Sequence, residues 1–319
     1  MRWGFMGAAR IARNALAPAV QAAGHRLEAV AARDRARAEA FAADFAIPRA
    51  YEGYDALLAD PALDAIYIAL PNDAHLPWTL RALEAGKHVL CEKPVALNAA
   101  EVERMQAAEA ASGRRVMEAY VHIHHPQMAR VREIMAEGRL GPLMAMHSSF
   151  GNTLRNEGDF RWHGALGGGA LLDLGCYCVS AMRVLAGREP VRVAAVQAMR
   201  GDVDATMNGL LDFGEGLAGQ FLCSFESART QDLVLIGTQG RLTLDWPFST
   251  RDRATTLDLD GNLEPFPPAN AYAAMVTHFA AAVAGEAEMM FPLSASLAQA
   301  RVHDALRTAA TGSWVNVAR

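Results

Sequence analysis

The sequence predicts a doubly wound parallel α/β domain followed by an α+β domain with a large, mainly antiparallel open sheet. Over the first 120 residues, short apolar runs alternate with helical segments, which is typical of parallel βαβ units. Later runs follow one another directly and are separated by turns such as Gly214-Glu215-Gly216, which favours antiparallel pairing. A chain of 319 residues is also long enough for two domains. We place them at 1–121 and 122–319.

The elements of the first domain follow from these runs. Almost wholly apolar strands are expected where helices cover both faces of a sheet. The predicted strands are Arg2–Met6, Leu27–Ala32, Ala65–Leu70, His88–Cys91 and Arg115–Val121, and the predicted helices are Arg10–Gln21, 35–45, Leu76–Ala85 and Ala99–Ser112.

The second domain is predicted to be a sheet with few helices. The expected strands are Leu143–Phe150, Val191–Arg200, Thr206–Phe213, Leu217–Ser224, Asp232–Gly237 and Arg241–Leu244. The expected helices are 127–137, 169–186, Tyr272–Ala284 and Ser294–Ala310, and the last helices can pack back on the first domain.

Composition excludes several classes of protein. The net charge of −5 is spread along the chain and no basic block is present, which argues against a nucleic-acid partner. No leader and no apolar stretch long enough to cross a bilayer is predicted, so we expect a cytoplasmic protein without a membrane partner. The four cysteines lack zinc-finger spacing and are expected to be buried free thiols.

The first turn of the chain is a candidate dinucleotide site. Gly7-Ala8-Ala9-Arg10-Ile11-Ala12 follows the first strand and opens a helix, whose N-terminal amides can bind an anion. Only the first of three fingerprint glycines is present, because Ala9 and Ala12 replace the others. We predict that Gly7, Ala8, Ala9, Arg10 and Ile11 hold a pyrophosphate; a plain strand–turn–helix is the alternative.

The end of the second strand predicts the choice of cofactor. An NAD site usually places a carboxylate there for the ribose hydroxyls, and Ala32 occupies that position. Arg33 follows, with Arg37 nearby, and an arginine can pair with a 2′-phosphate. NADP is therefore predicted over NAD, although these arginines could instead be a solvated helix start.

Further motifs resemble one family. Three stretches carry the likeness, 69–75 (Ala-Leu-Pro-Asn-Asp-Ala-His), 86–94 (Gly-Lys-His-Val-Leu-Cys-Glu-Lys-Pro) and 167–177 (Gly-Gly-Gly-Ala-Leu-Leu-Asp-Leu-Gly-Cys-Tyr). They resemble the Gfo/Idh/MocA oxidoreductases over essentially the whole chain. The segments 30–34, 98–102 and 175–179 are most similar to the branch with dimeric dihydrodiol dehydrogenase and NADP-dependent D-xylose dehydrogenase.

The resemblance implies roles for individual residues. Lys93 and Tyr177 would face the nicotinamide, with Asp173 one helical turn before the tyrosine. Glu92 and Pro94 would shape the turn around Lys93, with Pro94 in a cis peptide. The remaining cofactor residues implied are Leu70, Pro71, Asn72, His75 and, from the second domain, Arg161 and Trp162. The resemblance also implies a homodimer or larger homo-oligomer formed through the second-domain sheet.

The chain departs from this branch near the substrate. An aromatic residue and an arginine usually precede His125-Pro126, but His122 and Ile123 stand there instead. The identity of the substrate is therefore left open by the sequence.

The residues suit oxidation of a hydroxyl carbon. The hydride goes to the nicotinamide, and a base must take the hydroxyl proton. Tyr177 can be that base if the ammonium of Lys93 lowers its pKa. Asp173, four residues earlier, would lie on the same helix face and bind a sugar hydroxyl or orient Lys93. The alternative for Asp173 and Tyr177 is a helix-start carboxylate and a partly buried aromatic.

Two other motifs are interpreted differently. Gly167-Gly168-Gly169 lacks the Lys-Ser/Thr of a phosphate loop and is taken as a flexible entry into a helix. His122, His124 and His125 lack an acidic third ligand, so no metal is predicted, and packing or substrate hydrogen bonding is the expectation.

The leading hypothesis is an NADP-dependent dehydrogenase or reductase acting on CH–OH groups of a sugar or cyclic polyol, for example the aldoses D-xylose or D-glucose. Its pocket would use His122, Phe150, Phe160, Asp173, Tyr177 and Trp246, with Trp162 as a further wall. The alternatives are a trans-dihydrodiol dehydrogenase, a redox-assisted glycoside-cleaving enzyme with tightly held NAD, and a non-catalytic dinucleotide-binding regulator. The presence of both Lys93 and Tyr177 argues against the regulator.

Overall fold

A computed structural model describes residues 1–251, 253–310 and 312–318. The chain divides into two compact units. The first unit comprises Met1–Tyr120 and Tyr272–Leu297, and the second comprises Val121–Ala271 and Ala298–Arg319. The first unit thus includes a late stretch of chain as well as the N-terminal part.

The sheet of the first unit is parallel throughout. Its strands are β1 (Arg2–Met6), β2 (Arg26–Ala32), β3 (Arg49–Glu52), β4 (Ala65–Ile68), β5 (His88–Cys91) and β6 (Val116–Glu118). They pair in the order β3-β2-β1-β4-β5-β6. The predicted doubly wound sheet is confirmed. The order reverses between β1 and β4, and open α/β sheets bind ligands at the carboxyl ends of the strands at such a point.

The helices of the described chain are α1 (Ala17–Ala22), α2 (Arg35–Phe45), α3 (Asp55–Leu58), α4 (His75–Glu84), α5 (Ala99–Ser112), α6 (Pro126–Ala136), α7 (Cys176–Ala186), α8 (Ala271–Ala284) and α9 (Leu293–Ala309). Local capping explains why α5 matches its predicted bounds. Asn98 accepts a hydrogen bond from the Glu101 N–H at 3.0 Å, and Glu101 accepts one from the Leu97 N–H at 2.9 Å. Gly113, at φ 65°, ends the helix.

The first helix differs from the prediction of one regular α-helix. Residues Ala12–Leu16 form a π-helical turn, in which the Ala17 N–H donates to the Ala12 carbonyl, and α1 follows. A second π-helical turn, Leu171–Gly175, precedes α7 and has the Cys176 N–H donating to the Leu171 carbonyl. Such turns are rare and occur frequently at functional sites.

Aromatic side chains fill the core of the first unit. Trp3 and Phe5 of β1 are fully buried, as is Tyr67 of β4. Phe5 packs on Tyr67 with ring centroids 5.0 Å apart, and Trp3 packs on Phe279 of α8 at 5.4 Å. These contacts explain why α8 belongs to this unit, since burying two such rings stabilises the fold by roughly 3–6 kcal/mol.

The second unit contains a nine-stranded sheet. Its strands are β7 (Leu143–Thr153), β8 (Arg192–Arg200), β9 (Val203–Asp212), β10 (Ala218–Ser224), β11 (Glu226–Gly237), β12 (Arg241–Asp245), β13 (Thr255–Leu259), β14 (Asn262–Phe266) and β15 (Val315–Asn316). They lie in the order β14-β13-β12-β11-β7-β10-β9-β8-β15. All neighbours are antiparallel except β7 and β10, which confirms the mainly antiparallel sheet.

The two faces of this sheet differ. One face carries the core, which includes Val179 and Met182 of α7 and Val302 of α9. The other face has a depression of about 440 Å³, lined in part by Val196, Leu210 and Leu222. Val196 is 63% exposed there, so apolar side chains reach the surface of the sheet.

One segment corrects the expectation about apolar stretches. Gly164–Ala186 is long and apolar enough to cross a membrane by length and composition, with a mean hydropathy of 1.4. However, 83% of its most apolar 18-residue window is buried inside the structure, as in the core helix of a soluble protein. The four cysteines are likewise buried, and none forms a disulfide among the described residues.

Candidate active site

The turn after β1 brings the chain close to the end of β4. Gly7 has φ 106°, and a Cβ there would lie 2.6 Å from the Ala69 carbonyl oxygen, so only glycine fits. Its N–H donates to the Ala31 carbonyl at 2.9 Å. Ala8 and Ala9 are partly exposed and Arg10 is exposed, so the backbone at this helix start is accessible. A dinucleotide phosphate therefore fits this cradle, with alanine methyls where the other fingerprint glycines would be.

The end of β2 presents arginines rather than a carboxylate. Ala32 is buried, whereas Arg33 and Arg37 are exposed. Asp34 is used as the cap of α2, because its carboxylate accepts the Arg37 N–H at 2.9 Å. Arg35 pairs with Glu39 at 2.7 Å, but no described carboxylate pairs with Arg33 or Arg37. Two guanidinium groups are thus available for an anion here.

His75 links the ends of β4 and β5. It is fully buried, with Nδ1 2.7 Å from the Pro94 carbonyl and Nε2 3.0 Å from the Leu70 carbonyl. Burial lowers its pKa, so the ring is neutral at pH 7. His75 therefore holds the segments of Leu70 and Pro94 together rather than offering a free ring nitrogen. Next to it, Asn72 is 6% exposed and begins a 3₁₀ turn after Pro71.

The segment around Lys93 is held by its neighbours. Tyr67 donates a hydrogen bond to Glu92 at 2.5 Å, and the Glu92 N–H donates to the Ile68 carbonyl at 3.0 Å. The Lys93–Pro94 peptide is cis, as the resemblance implied. Lys93 itself is partly exposed. The segment after β5 thus presents the ammonium group of Lys93 on a fixed backbone.

The scarcity of lysine in the chain singles out Lys93, independently of the family motif. Of 30 basic residues, only Lys87 and Lys93 are lysines. Lys87 is buried and donates to the carbonyls of Asp60 at 2.7 Å and Leu63 at 2.9 Å, which is a structural role. Lysine, unlike arginine, can serve in proton chemistry because its pKa shifts readily. Its retention at position 93 in so arginine-rich a chain favours a chemical role.

In the second unit, Asp173 is paired with Arg161. Arg161 Nε lies 2.8 Å from Asp173 Oδ2, and its Nη1 lies 3.0 Å from Asp159 Oδ1. The two carboxylates raise the pKa of Arg161. The guanidinium also stacks on Phe160, 4.7 Å from the ring centroid. Within this unit, Arg161 therefore orients Asp173, an arrangement the sequence did not suggest.

Tyr177 stands in a cluster of aromatic rings. Its ring centroid lies 5.3 Å from that of His122, 5.4 Å from Phe150 and 5.6 Å from Phe248. Tyr177 is half-buried, whereas Phe248 is 2% exposed. Phe150 and Phe248 stack on each other at 5.4 Å. Phe248 was missed because a single phenylalanine after Trp246-Pro247 gives no pattern.

His122 lies within this cluster and is fully buried. Burial lowers its pKa to about 3, so it is neutral at pH 7. Its Nε2 lies 3.4 Å from Ser180 Oγ, which donates to the Tyr177 carbonyl at 3.0 Å. His122 therefore supports the tyrosine helix, and Ile123 beside it is also buried. No three His, Cys, Asp or Glu side chains converge on a possible metal position in the described ranges.

Other predicted pocket walls have different surroundings. Trp162 is 9% exposed and packs on Phe225 at 5.3 Å, with Arg200 stacked over it. Trp246 has the guanidinium groups of Arg229 and Arg253 over its ring. These two tryptophans therefore have protein groups against their rings, while Phe150 borders Tyr177.

The triple glycine is a tightly packed helix start, which corrects the expectation of a flexible entry. A Cβ at Gly168 would collide with the Arg161 carbonyl oxygen, and one at Gly169 would collide with Asp204 Oδ1. Gly169 also has φ 108°. Asp204 Oδ2 accepts the Leu171 N–H at 2.7 Å, at the beginning of the π-helical turn that bears Asp173. The glycines let the chain approach this carboxylate.

Taken together, the doubly wound sheet, the glycine turn and the lysine and tyrosine candidates define a dinucleotide-dependent oxidoreductase. Residues 1–120 match the family described as "Oxidoreductase family, NAD-binding Rossmann fold", and residues 128–243 match the "GFO/IDH/MocA C-terminal domain". The chain belongs to the Gfo/Idh/MocA oxidoreductase family, as its motifs predicted.

Two relatives support the predicted branch. D-xylose 1-dehydrogenase (NADP(+)) 2 of Haloferax volcanii is 37% identical over 326 residues, covering 99% of this chain and 100% of that protein. Trans-1,2-dihydrobenzene-1,2-diol dehydrogenase of Mus musculus is 37% identical over 273 residues, covering 84% and 80%. The resemblance to this branch is confirmed.

A solved structure is similar over almost the whole chain. It is a 3-ketoreductase from Actinomadura kijaniata in complex with NADP and TDP-benzene, with a TM-score of 0.91, 33% identity and 97% of each chain covered. The same 3-ketoreductase has been solved with one lysine replaced by alanine or glutamate, and with one tyrosine replaced by phenylalanine. That lysine and that tyrosine are as far apart in their chain as Lys93 and Tyr177 are here.

Proposed function

We propose that the chain is an NADP-dependent oxidoreductase that transfers a hydride between the nicotinamide and a carbon bearing a hydroxyl or carbonyl. The substrate is a sugar, such as the aldoses D-xylose or D-glucose, or a cyclic polyol. The observation that carries the proposal is the retention of Lys93 and Tyr177 with the spacing of the lysine and tyrosine replaced in the 3-ketoreductase. The D-xylose dehydrogenase relative supports the substrate class.

The surroundings of β1 and β2 support NADP. Gly7, Ala8, Ala9, Arg10 and Ile11 would hold the pyrophosphate, because the turn is open to the exposed helix start. Arg33 and Arg37 would bind the 2′-phosphate, since neither has a carboxylate partner in the described chain. Ala32 stands where an NAD site has its ribose-binding carboxylate, and Asp34 two residues later is engaged through Oδ1 as the cap of α2. The nicotinamide end of the cofactor site would be shaped by Leu70, Pro71, Asn72, Glu92 and Pro94. His75 would support this part of the site through its contacts with the Leu70 and Pro94 carbonyls.

The proposed chemistry divides between the chain and its cofactor. Bound NADP supplies the hydride acceptor or donor. In the oxidative direction the Tyr177 oxygen takes the hydroxyl proton, and the Lys93 ammonium favours the phenolate by its positive charge. Asp173, oriented by Arg161 at 2.8 Å, accepts a hydrogen bond from a neighbouring substrate hydroxyl. Phe150, with Phe248 and His122 behind it, keeps Tyr177 in a dry, fixed position.

Two properties of the whole protein belong to the same proposal. The depression on the exposed face of the second-unit sheet, with Val196, Leu210 and Leu222, suits self-association into a homodimer or larger homo-oligomer. Four buried cysteines without a disulfide in the described chain suit a reducing compartment, so we place the enzyme in the cytoplasm.

The test is a spectrophotometric screen for reduction of NADP with D-xylose, D-glucose, other aldoses and trans-dihydrobenzenediol. Turnover of aldoses that disappears in Lys93→Ala and Tyr177→Phe is the expected result. Turnover of the dihydrodiol alone would favour a trans-dihydrodiol dehydrogenase. Tight NADP binding without turnover of any candidate would favour the non-catalytic regulator and overturn the proposal.

A further inference from the structure

Two arginines share one tryptophan ring in the second unit. The guanidinium carbon of Arg253 lies 4.0 Å from the ring centroid of Trp246, and that of Arg229 lies 4.6 Å from it. Both arginines are exposed, and Trp246 is half-buried. A stacked guanidinium keeps its N–H groups in its own plane, so they remain available to an acceptor.

These two arginines differ from the other stacked arginines of the described chain. Arg13, Arg81, Arg161, Arg192 and Arg200 each stack on an aromatic ring and each also pair with a carboxylate. No described carboxylate pairs with Arg229 or Arg253. Two positive charges are therefore held against one indole ring, and no described acid pairs with either of them.

The backbone around Trp246, which carries the ring shared by the two arginines, is held in place by its neighbours. Trp246 has φ 52°, a conformation that is unfavourable for a bulky side chain and persists only where neighbours enforce it. Its carbonyl accepts a hydrogen bond from Nε2 of the buried Gln127 at 3.3 Å. The Ser249 N–H donates to Gln231 at 2.8 Å. Arg229 lies where the register of β11 against β7 shifts, and such bulges redirect side chains near sites.

The arginine pair is connected to the tyrosine cluster. Phe248, two residues after Trp246, is the buried ring 5.6 Å from Tyr177 and 5.4 Å from Phe150. The segment that backs the proposed base therefore also carries Trp246. A group bound by the arginines would belong to the part of the substrate remote from the reacting carbon.

We propose that Arg229, Trp246 and Arg253 form a phosphate-binding site for the distal end of the substrate, which rests on the function proposed above. Both guanidinium groups are held against the same ring, so the N–H groups that each directs outward can converge on one anion beyond the edge of that ring. A phosphate has three terminal oxygens and about two negative charges at pH 7, which match two arginines. Trp246 aligns the arginines, and its indole is not a stacking wall for the sugar.

The first experiment measures binding directly, without turnover. Calorimetric titration of the NADP-saturated enzyme with D-glucose 6-phosphate and with D-glucose is expected to give at least ~10-fold tighter binding of the sugar phosphate, because its phosphate adds charge-assisted hydrogen bonds to the arginines. Saturation with NADP keeps Arg33 and Arg37 occupied. Equal affinity for the two sugars would overturn the proposal even if NADP turnover is observed.

The second experiment uses variants. Arg229→Ala and Arg253→Ala are expected to lower kcat/KM for D-glucose 6-phosphate about 10-fold more than for D-glucose. Arg241→Ala removes an exposed arginine of β12 and is the matched control, with no change in that ratio. Competition by inorganic phosphate and by thymidine diphosphate separates a sugar phosphate from a nucleotide-linked sugar. A uniform loss for both sugars in the two variants would contradict phosphate recognition.

Discussion

The carboxylate of Asp204 accepts a hydrogen bond from the backbone N–H of Leu171 at 2.7 Å. This contact caps the π-helical turn from which Asp173 projects and after which Tyr177 follows in α7. Burial raises the pKa of Asp204 to about 6, although the hydrogen bonds that it accepts oppose this shift. Asp204 is therefore ionised at pH 8 and largely neutral at pH 5, and only the ionised form accepts with both oxygens.

Asp204→Asn is expected to lower kcat more than stability. An amide keeps one acceptor oxygen for the Leu171 N–H but removes the charge beside the π-helical turn that bears Asp173. Activity at pH 8 should fall about 3- to 30-fold. The decrease of kcat that accompanies protonation of Asp204 near pH 6 should become weaker. Ionisation of Asp204 is disfavoured in the folded state, so its contribution to stability falls as pH rises through the window from 3.8 to about 6. The variant should therefore have a Tm at pH 8 equal to or above that of the parent.

Asp202→Asn is the control for Asp204. Asp202 is exposed and accepts the Gly164 N–H at 3.0 Å, so it caps a neighbouring turn that bears no proposed catalytic residue. Unchanged kcat and an unchanged pH profile are expected for it. If Asp204→Asn retained both full activity and the decrease of kcat near pH 6, the capping argument would fail.

Gly169→Ala is expected to destabilise the protein strongly. Gly169 combines φ 108° with a carboxylate oxygen where a Cβ would lie, so strain and steric conflict both act. We expect a loss of at least ~2 kcal/mol in the free energy of unfolding. Gly187→Ala is the comparison, because Gly187 has φ 63° but no atom within 4 Å of a Cβ, and should cost about 1 kcal/mol. Urea titration of both variants measures the difference, and equal losses would show that the contact with Asp204 is unimportant.

Lys93→Arg is expected to abolish turnover although it keeps the positive charge. A guanidinium is larger, holds its proton far more strongly and has a different donor geometry. We expect kcat to fall at least ~100-fold, with the Kd for NADP changed less than ~3-fold. Tyr177→Phe should behave in the same way. Fluorescence titration with NADPH together with steady-state kinetics tests this, and a normal kcat in Lys93→Arg would exclude the assigned role.

Arg33→Ala is expected to weaken NADP binding selectively. Loss of one guanidinium from the 2′-phosphate should raise the Kd for NADP about 10- to 100-fold, with little effect on NAD. Arg35→Ala provides the control, because Arg35 is already paired with Glu39 at 2.7 Å. Titration of both cofactors against the two variants measures the selectivity. Equal losses for NADP and NAD in Arg33→Ala would remove the argument for a 2′-phosphate site.

Buried histidines are expected to make the fold sensitive to acid. Burial lowers the pKa of His303 to about 3 and that of His125 to about 4, so both are neutral in the folded state. The unfolded chain takes up their protons below about 6.5, so their contribution to stability is present above that pH and is lost as pH falls. His303→Asn should reduce the slope of unfolding free energy with pH by up to ~1.4 kcal/mol per unit between pH 4 and 6. Chemical denaturation at a series of pH values measures the slope, and an unchanged slope in His303→Asn would contradict this account.

Local patterns predicted the fold well where they were strong. The helix 99–112 has its cap, its capping partner and its terminal glycine in the sequence, and its bounds match. β5 also matches, because His88–Cys91 is bounded by a glycine turn and by Glu92. By contrast, β3, β13 and β14 were not predicted, since they are short and depend on pairing with β2, β12 and β13 respectively. Pairing with a neighbouring strand leaves little trace in the sequence of a short segment.

Motifs predicted which residues belong to the candidate site, but they did not predict the contacts that these residues make. Arg161 was expected to reach the cofactor, yet its bonds to Asp173 and Asp159 involve residues without a periodic relationship to it. Phe248 and Asp204 were missed because their roles arise from packing across the sheet. Packing or substrate hydrogen bonding was expected for His122, which is buried beside Tyr177; a histidine in a short apolar segment does not reveal which way it faces.

The π-helical turn Leu171–Gly175 has a consequence for chain length. Its wider ring accommodates one residue more than an α-helical turn would between Ala170 and Cys176. Deleting a single residue there would restore a regular α-helix and preserve its capping, yet it would rotate the preceding segment relative to Tyr177 by about 100°. The helix would remain regular while Asp173 and Tyr177 lost their present orientation relative to the segment that precedes the turn. In this helix, insertions and deletions are therefore constrained more tightly than substitutions.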